Sequence, residues 1–219
     1  GTTVYLAADS AIKTDFSAGR RQVRLLAGEA FFDVIRNPGR PFVVDASGVK
    51  VEVTGTAFDV RLSSSATQVE LARGAVGVSF DAAQGASPAV LTPGQMLVVD
   101  RKSGAMVRSD IAPEDIGAWR EGRLFVNDAT IGAVVEQIQR YHAAWIAAPD
   151  ITLAQQTVTG LYDLRDPDRA LRALQQPHGG KVHEVSRFAR IVSRLYVASK
   201  LRSRFSRLKR YTPEKKYRS

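Results

Sequence analysis

Residues 49–60 read Val49-Lys50-Val51-Glu52-Val53-Thr54-Gly55-Thr56-Ala57-Phe58-Asp59-Val60. Val49, Val51 and Val53 alternate with Lys50, Glu52 and Thr54, the period of two that places successive side chains on opposite faces of a half-buried strand. Gly55 interrupts the run, and a second strand follows over Ala57–Leu62. The rhythm continues outward in both directions, through Thr3–Leu6, Gln22–Leu26, Ala30–Ile35 and Phe42–Asp45 on one side and Val69–Leu71, Val76–Phe80, Val90–Leu91, Met96–Val99 and Ala105–Val107 on the other. Asn37-Pro38-Gly39, Ser47-Gly48, Arg73-Gly74, Pro93-Gly94 and Ser103-Gly104 supply the turns between them. No helical period is legible before Arg108 and no side-chain signature returns at a fixed interval. The reading is an all-β domain over residues 1–111, sandwich or solenoid-like, without a true repeat.

The period changes after Ile111-Ala112-Pro113. Residues 112–122 form a polar connector around Trp119, and residues 123–195 are predicted to be a small α+β domain in the order βαββαββ. A strand at Arg123–Val126 leads to a helix capped by Asp128, with Ile131, Val134, Val135, Ile138 and Tyr141 on one face. Strands at Trp145–Ala147 and Thr157–Leu164 follow. Asp166 then caps a second helix, with Pro167 in its first turn and Ala170, Leu171 and Leu174 facing inward. Lys181–Val185 and Phe188–Leu195 close the domain. The predicted core is Phe31, Val34, Phe42, Val53, Phe58, Val60, Val76 and Val98 in the first domain, and Val134, Ile138, Leu171 and Leu174 in the second.

Composition excludes several function classes. The 219 residues are 44% apolar and 24% charged, ordinary values for a folding chain. The longest mostly apolar stretch, Ala143–Ala148, is far short of the roughly 20 residues that cross a bilayer. The chain enters its first strand directly from Gly1, so an upstream segment holding a membrane anchor or leader is expected. Cysteine is absent, which removes disulfides, thiolate metal sites and cysteine nucleophiles. The net charge of +9 is local: residues 1–180 hold 18 Lys and Arg against 20 Asp and Glu, residues 181–219 hold 13 against 2. The basic character belongs to a tail, residues 196–219.

Few residues offer chemistry. His142, His178 and His183 lack the spacing of a metal site, and Asp163, Asp166 and Asp168 lack the Gly and Glu that complete a calcium loop, so no metal and no cofactor is expected. No glycine-rich phosphate loop or nucleophile elbow is present, and no turnover enzyme is expected. One dipeptide stands apart. A Thr56 hydroxyl beside a strained Gly55 carbonyl could attack it and shift the acyl group from nitrogen to oxygen, with Glu52 or Asp59 assisting proton transfer. Against this, Gly55 reads as a bulge between strands with Thr56 facing solvent.

The first domain resembles the periplasmic domain of FecR-type sigma-factor regulators. The residues that carry the resemblance are Gly28-Glu29-Ala30-Phe31-Phe32, Arg40-Pro41-Phe42, Gly55-Thr56-Ala57-Phe58, Val69-Glu70-Leu71-Ala72-Arg73-Gly74 and Leu91-Thr92-Pro93-Gly94-Gln95. The second domain, with Val158-Thr159-Gly160 and Asp166-Pro167-Asp168-Arg169-Ala170-Leu171, is similar to the secretin/TonB short N-terminal module. The resemblance implies the periplasmic part of a single-pass inner-membrane anti-sigma factor. Its implied partners are the signalling domain of a TonB-dependent outer-membrane transducer in iron uptake and, through a cytoplasmic segment, a sigma factor. It also implies self-cleavage at Gly55-Thr56 as a candidate, since some members cleave at a Gly-Thr bond. Small α+β modules bind by strand addition, and Phe188, Arg190 and Val192 on the last strand are the candidate contacts. The alternative is nucleic-acid or anionic-membrane binding through Lys200, Arg202, Arg204, Arg207, Lys209 and Arg210, with Phe205 and Tyr211 interleaved.

Overall fold

The computed structural model describes residues 1–16, 19, 21–81 and 87–194. The expected tail, residues 196–219, lies outside them, as does Leu195. Eleven strands run in chain order: β1 (Thr3–Leu6), β2 (Ala11–Asp15), β3 (Arg21–Asp33), β4 (Phe42–Ala46), β5 (Val49–Val53), β6 (Ala57–Leu62), β7 (Ala66–Arg73), β8 (Val76–Phe80), β9 (Ala89–Leu91), β10 (Gln95–Asp100) and β11 (Met106–Asp110). They form one continuous sheet in the order β11-β10-β7-β6-β3-β4-β5-β8-β9, with β1 and β2 also on β3.

One curled sheet replaces the expected sandwich or solenoid, and β3 is the reason. The two strands read at Gln22–Leu26 and Ala30–Ile35 are a single 13-residue strand. Its first half pairs with β2 and, in parallel, β4; its second half pairs with β1 and β6. The bend falls at Gly28, where φ is +83° and a Cβ would stand 2.6 Å from the Ser10 Cα, so only glycine fits. The curl brings the inner faces of both halves together. Phe32, Phe42, Phe58, Val60, Leu71, Val76 and Leu97 are buried there, and the Phe32 and Phe58 rings stack at 5.1 Å. Val98, expected in this core, is only half-buried: Leu97 and Val99 point inward, and the pleat turns Val98 to the other face.

The connector makes two 3-10 turns, Pro113–Asp115 and Ala118–Glu121, and it is not simply polar: Ile116 and Ala118 are buried against the sheet. Then come β12 (Arg123–Thr130), α1 (Ile131–Gln139), β13 (Trp145–Ala147), α2 (Ile151–Ala154), β14 (Thr157–Asp163), α3 (Pro167–Gln175), β15 (Lys181–Ser186) and β16 (Ala189–Ser193). The order departs from βαββαββ by the short α2, which Asp150 caps through the Leu153 amide. β12 pairs with β14, while β13-β16-β15 form a separate sheet. Val134, Ile138, Leu153, Leu171, Leu174 and Val192 fill the core between them. Thr130, not Asp128, caps α1. Asp128 instead sits at φ +46° in a bulge of β12 against β14. Asp166 caps α3 with Pro167 in the first turn.

Candidate functional site

The Gly55-Thr56 peptide is built into the wall of the sheet. Thr56 exchanges both backbone bonds with Val34, at 3.2 and 2.9 Å, and its hydroxyl donates to the Ala75 carbonyl at 3.3 Å. Thr56 is 1% exposed, which corrects the expectation of a solvent-facing side chain. A Cβ at Gly55 would meet the Arg36 Cα at 2.5 Å, and one at Gly74 would meet the Gly55 carbonyl at 3.1 Å. Close backbone approach therefore explains both glycines. The bulge lies one step on, between Ala57 and Phe58 against β7. Of the two carboxylates read as proton carriers, Glu52 is exposed on β5 and Asp59 is engaged by the Trp119 indole at 2.8 Å.

The candidate docking strand is also placed differently. β16 lies in the middle of its sheet, parallel to β13 and antiparallel to β15, so its backbone is already paired on both sides. Val192 is fully buried. The Arg190 guanidinium is clasped by Asp168 at 3.0 Å, and that hydrogen bond, ahead of other effects, holds the Asp168 carboxyl below its ordinary range. His142 shares the same carboxylate at 3.1 Å. Only Phe188, in the turn before β16, faces solvent, at 64% exposure. The sheet's outer strands are β13 and β15. The Ile146 amide of β13 is taken by the Gln139 side chain, which leaves the six-residue β15 as the longer open edge. Val185 and Trp145 on this sheet, and Phe188 in its turn, are exposed apolar residues.

A third constellation was not read from the sequence. On the outer face of the sheet the register aligns Phe31, Asp59, Glu70 and Met96 in one row across β3, β6, β7 and β10, and Glu29, Arg61, Gln68 and Val98 in the next. The connector and α1 cover both rows. Trp119 bonds Asp59, the Gly117 amide reaches Glu70 at 3.3 Å, and Arg61 donates to Gln137 of α1 at 2.6 Å. Nearby, both carboxylate oxygens of Glu136 accept from Ser64, and Arg140 donates to the Leu62 carbonyl. Glu29 and Glu70 are 7% exposed and Asp59 1%. Burial, then the charges of Glu29 and Glu70, pushes the Asp59 carboxyl well above its ordinary range. Burial likewise raises Glu70 to about 7, against the opposing pull of Arg61. A cavity of about 310 Å³ opens beside the rows, lined by Arg61, Gln68, Glu70, Met96, Phe125 and Gln137 among others.

Comparison with known proteins places the fold. The family described as FecR protein matches residues 1–77. Two crystal structures of a candidate anti-sigma factor from Parabacteroides distasonis ATCC 8503, at 1.65 and 2.50 Å resolution, share the architecture. The first superposes with a TM-score of 0.80 at 24% identity and the second with 0.79 at 25%, each covering 89% of this chain and 91% of the other. The likeness thus extends well past residue 77, into the helix-bearing segment. No curated protein matches the chain.

Proposed function

The N-terminal third of this chain is of the FecR type, and from that premise we propose that it is the signal-receiving part of an anti-sigma regulator. In this reading it lies on the periplasmic side of the inner membrane and binds the signalling domain of a TonB-dependent outer-membrane transducer, in the control of iron uptake. A sigma factor is reached through a cytoplasmic segment of the same protein. The observation that carries the reading is the FecR match over residues 1–77 on a fold shared along most of its length with two crystal structures of a candidate anti-sigma factor. The chain acts by binding, without turnover.

Docking proceeds by strand addition at β15. Its outer edge gives main-chain bonds for affinity, and exposed Val185 and Phe188 give side-chain selectivity. The test is titration calorimetry with purified transducer signalling domains. One of them is expected to bind, and Val185→Asp and Phe188→Ala, both at exposed positions, should weaken that complex tenfold or more, about 1.4 kcal/mol. Absence of binding to every signalling domain refutes the partner; binding unaffected by either substitution refutes the edge.

A further inference from the structure

The two polar rows under the connector contain more acid than they can neutralise. Three carboxyl groups, Glu29, Asp59 and Glu70, stand on three adjacent strands, and Asp59 and Glu70 are directly opposite each other in the β6–β7 register. Cross-strand neighbours of that kind have Cβ atoms about 5 Å apart, and like charges there repel. Arg61 is the one cation within the rows, and its guanidinium already serves Gln137 and Gln68. The groups that face the rows from other elements do little to redress this. Arg120 of the connector is turned onto the Phe31 ring, 3.6 Å from its centre. Arg123 of β12 is bonded to Glu121 and the Glu114 carbonyl, and Asp115 adds a further acid to a small cleft that it lines with Glu29, Glu70 and Arg123. Arg140, beyond α1, is bonded to Leu62. Burial first, and the Glu29 charge second, pushes the Tyr141 hydroxyl up to about 12, so it stays neutral.

One atom shows how the rows are kept. Asp59 Oδ1 is buried and receives no N–H or hydroxyl donor, and the polar group beside it is the Glu29 carboxyl. Two carboxyl oxygens can hydrogen-bond only with a proton between them. The remaining cover is apolar: Phe31, Met96, Ile111 and Ile116 pack together, with Trp119 and Phe125 against them, so the acids keep only a few per cent of their surface exposed while the seam is shut.

We infer that the seam between the sheet and the connector–α1 segment is a proton-gated latch, closed while Asp59 and Glu70, facing each other across the β6–β7 register, keep at least one proton between them and released when that proton leaves. Release is favoured because deprotonation puts adjacent like charges in a poorly solvated seam, and this repulsion opposes the N–H bonds from Gly117 and Trp119, which strengthen onto the anions. A partner that pulls the segment away would promote loss of the same proton, by linkage. Titration of Glu70 near neutrality is consistent with a latch that responds to modest changes of pH.

The experiment uses the full chain carrying Trp145→Phe, which leaves Trp119, bonded to Asp59, as the sole tryptophan. Between pH 5 and 9 its fluorescence should change in one transition within about one unit of pH 7. Hydrogen exchange over residues 117–126 and 131–141, corrected for intrinsic rates, should be at least tenfold faster on the alkaline side, with β3, β6 and β7 still protected. Asp59→Asn together with Glu70→Gln should remove the transition and keep exchange slow. Should that pair fail to fold, Glu70→Gln alone must move the midpoint by half a unit or more. Unchanged fluorescence and exchange across the range, or a midpoint indifferent to these substitutions, overturns the latch.

Discussion

The two faces of β3, β6 and β7 are made by alternate residues of the same strands, one step apart, and are held by different physics. The inner face is apolar save for Thr67, whose hydroxyl donates to the Ala46 carbonyl: Ala30 and Phe32, Phe58 and Val60, Val69 and Leu71 are all buried. Its stability rests on area removed from water and on close packing. The outer face is polar in the same register, with Glu29, Asp59, Arg61, Gln68 and Glu70, and is buried only because the connector and α1 lie over it. A face that would be solvated in an isolated sheet is here enclosed with its charges. Enclosure is tolerable when hydrogen bonds and protons satisfy the groups, and it makes the outer face conditional where the inner face is permanent.

That contrast is sharpest if one side chain is removed from the inner face. Phe58 is fully buried and stacked on Phe32. Phe58→Ala should lower unfolding free energy by about 3–5 kcal/mol at any pH, measured by urea denaturation. A loss below about 1 kcal/mol would mean that the curled sheet is not the permanent half of the molecule.

The outer face should instead show its contribution through pH. A carboxyl whose folded pKa is raised binds more protons folded than unfolded, so its stabilisation is complete below the unfolded pKa and is lost as pH rises through the folded one. For Glu70, raised from 4.5 to about 7, stability should fall by about 3 kcal/mol between those pH values and level off above. Asp59, raised in the same direction, adds to the fall. Glu70→Gln should flatten the profile. A stability that rises over this window would show that the carboxyls are paired as anions and that the two faces do not differ as described.

The inner face was legible in the sequence and the outer face was not. Ala57–Leu62 and Val76–Phe80 were read with their observed bounds, because period two and flanking turn residues act locally. β2 was missed: Lys13, Thr14 and Asp15 give it little apolar signal, and it is largely exposed. The place of β16 was misread because its parallel partner β13 is separated by some 40 residues, and strand composition says nothing of order within a sheet. Asp59 was seen only as a possible aid to proton transfer at Thr56. Its burial depends on Trp119, sixty positions away, and the one local hint was an acid inside Ala57-Phe58-Asp59-Val60, four consecutive residues that are all buried.

A smaller effect separates the caps from both faces. Asp166 accepts from the Arg169 amide at the start of α3. Asp166→Ala should reduce stability by about 1 kcal/mol without altering the pH profile, since the residue is remote from Glu70. A changed profile would mean that the helices and the outer face titrate as one unit.

The smallest expected effect is at Gly55-Thr56. Self-cleavage would need the Thr56 hydroxyl to leave its acceptor, the Ala75 carbonyl, and approach the Gly55 carbonyl with a base at hand. Neither Glu52, exposed on β5, nor Asp59, held by Trp119, is hydrogen-bonded to Thr56 among the described residues. Gly55 and Gly74 have packing reasons for being glycine, and Gly55 does not adopt positive φ, so no backbone strain there promotes attack. Purified protein should keep its intact mass through long incubation, with or without hydroxylamine, as Thr56→Ala does. Thr56→Ala should still lose about 1 kcal/mol of stability, the contribution of a buried hydroxyl bond. Fragments ending at Gly55 that form in the parent and not in Thr56→Ala, faster with hydroxylamine, would show an ester intermediate and restore this wall of the sheet as a site of chemistry.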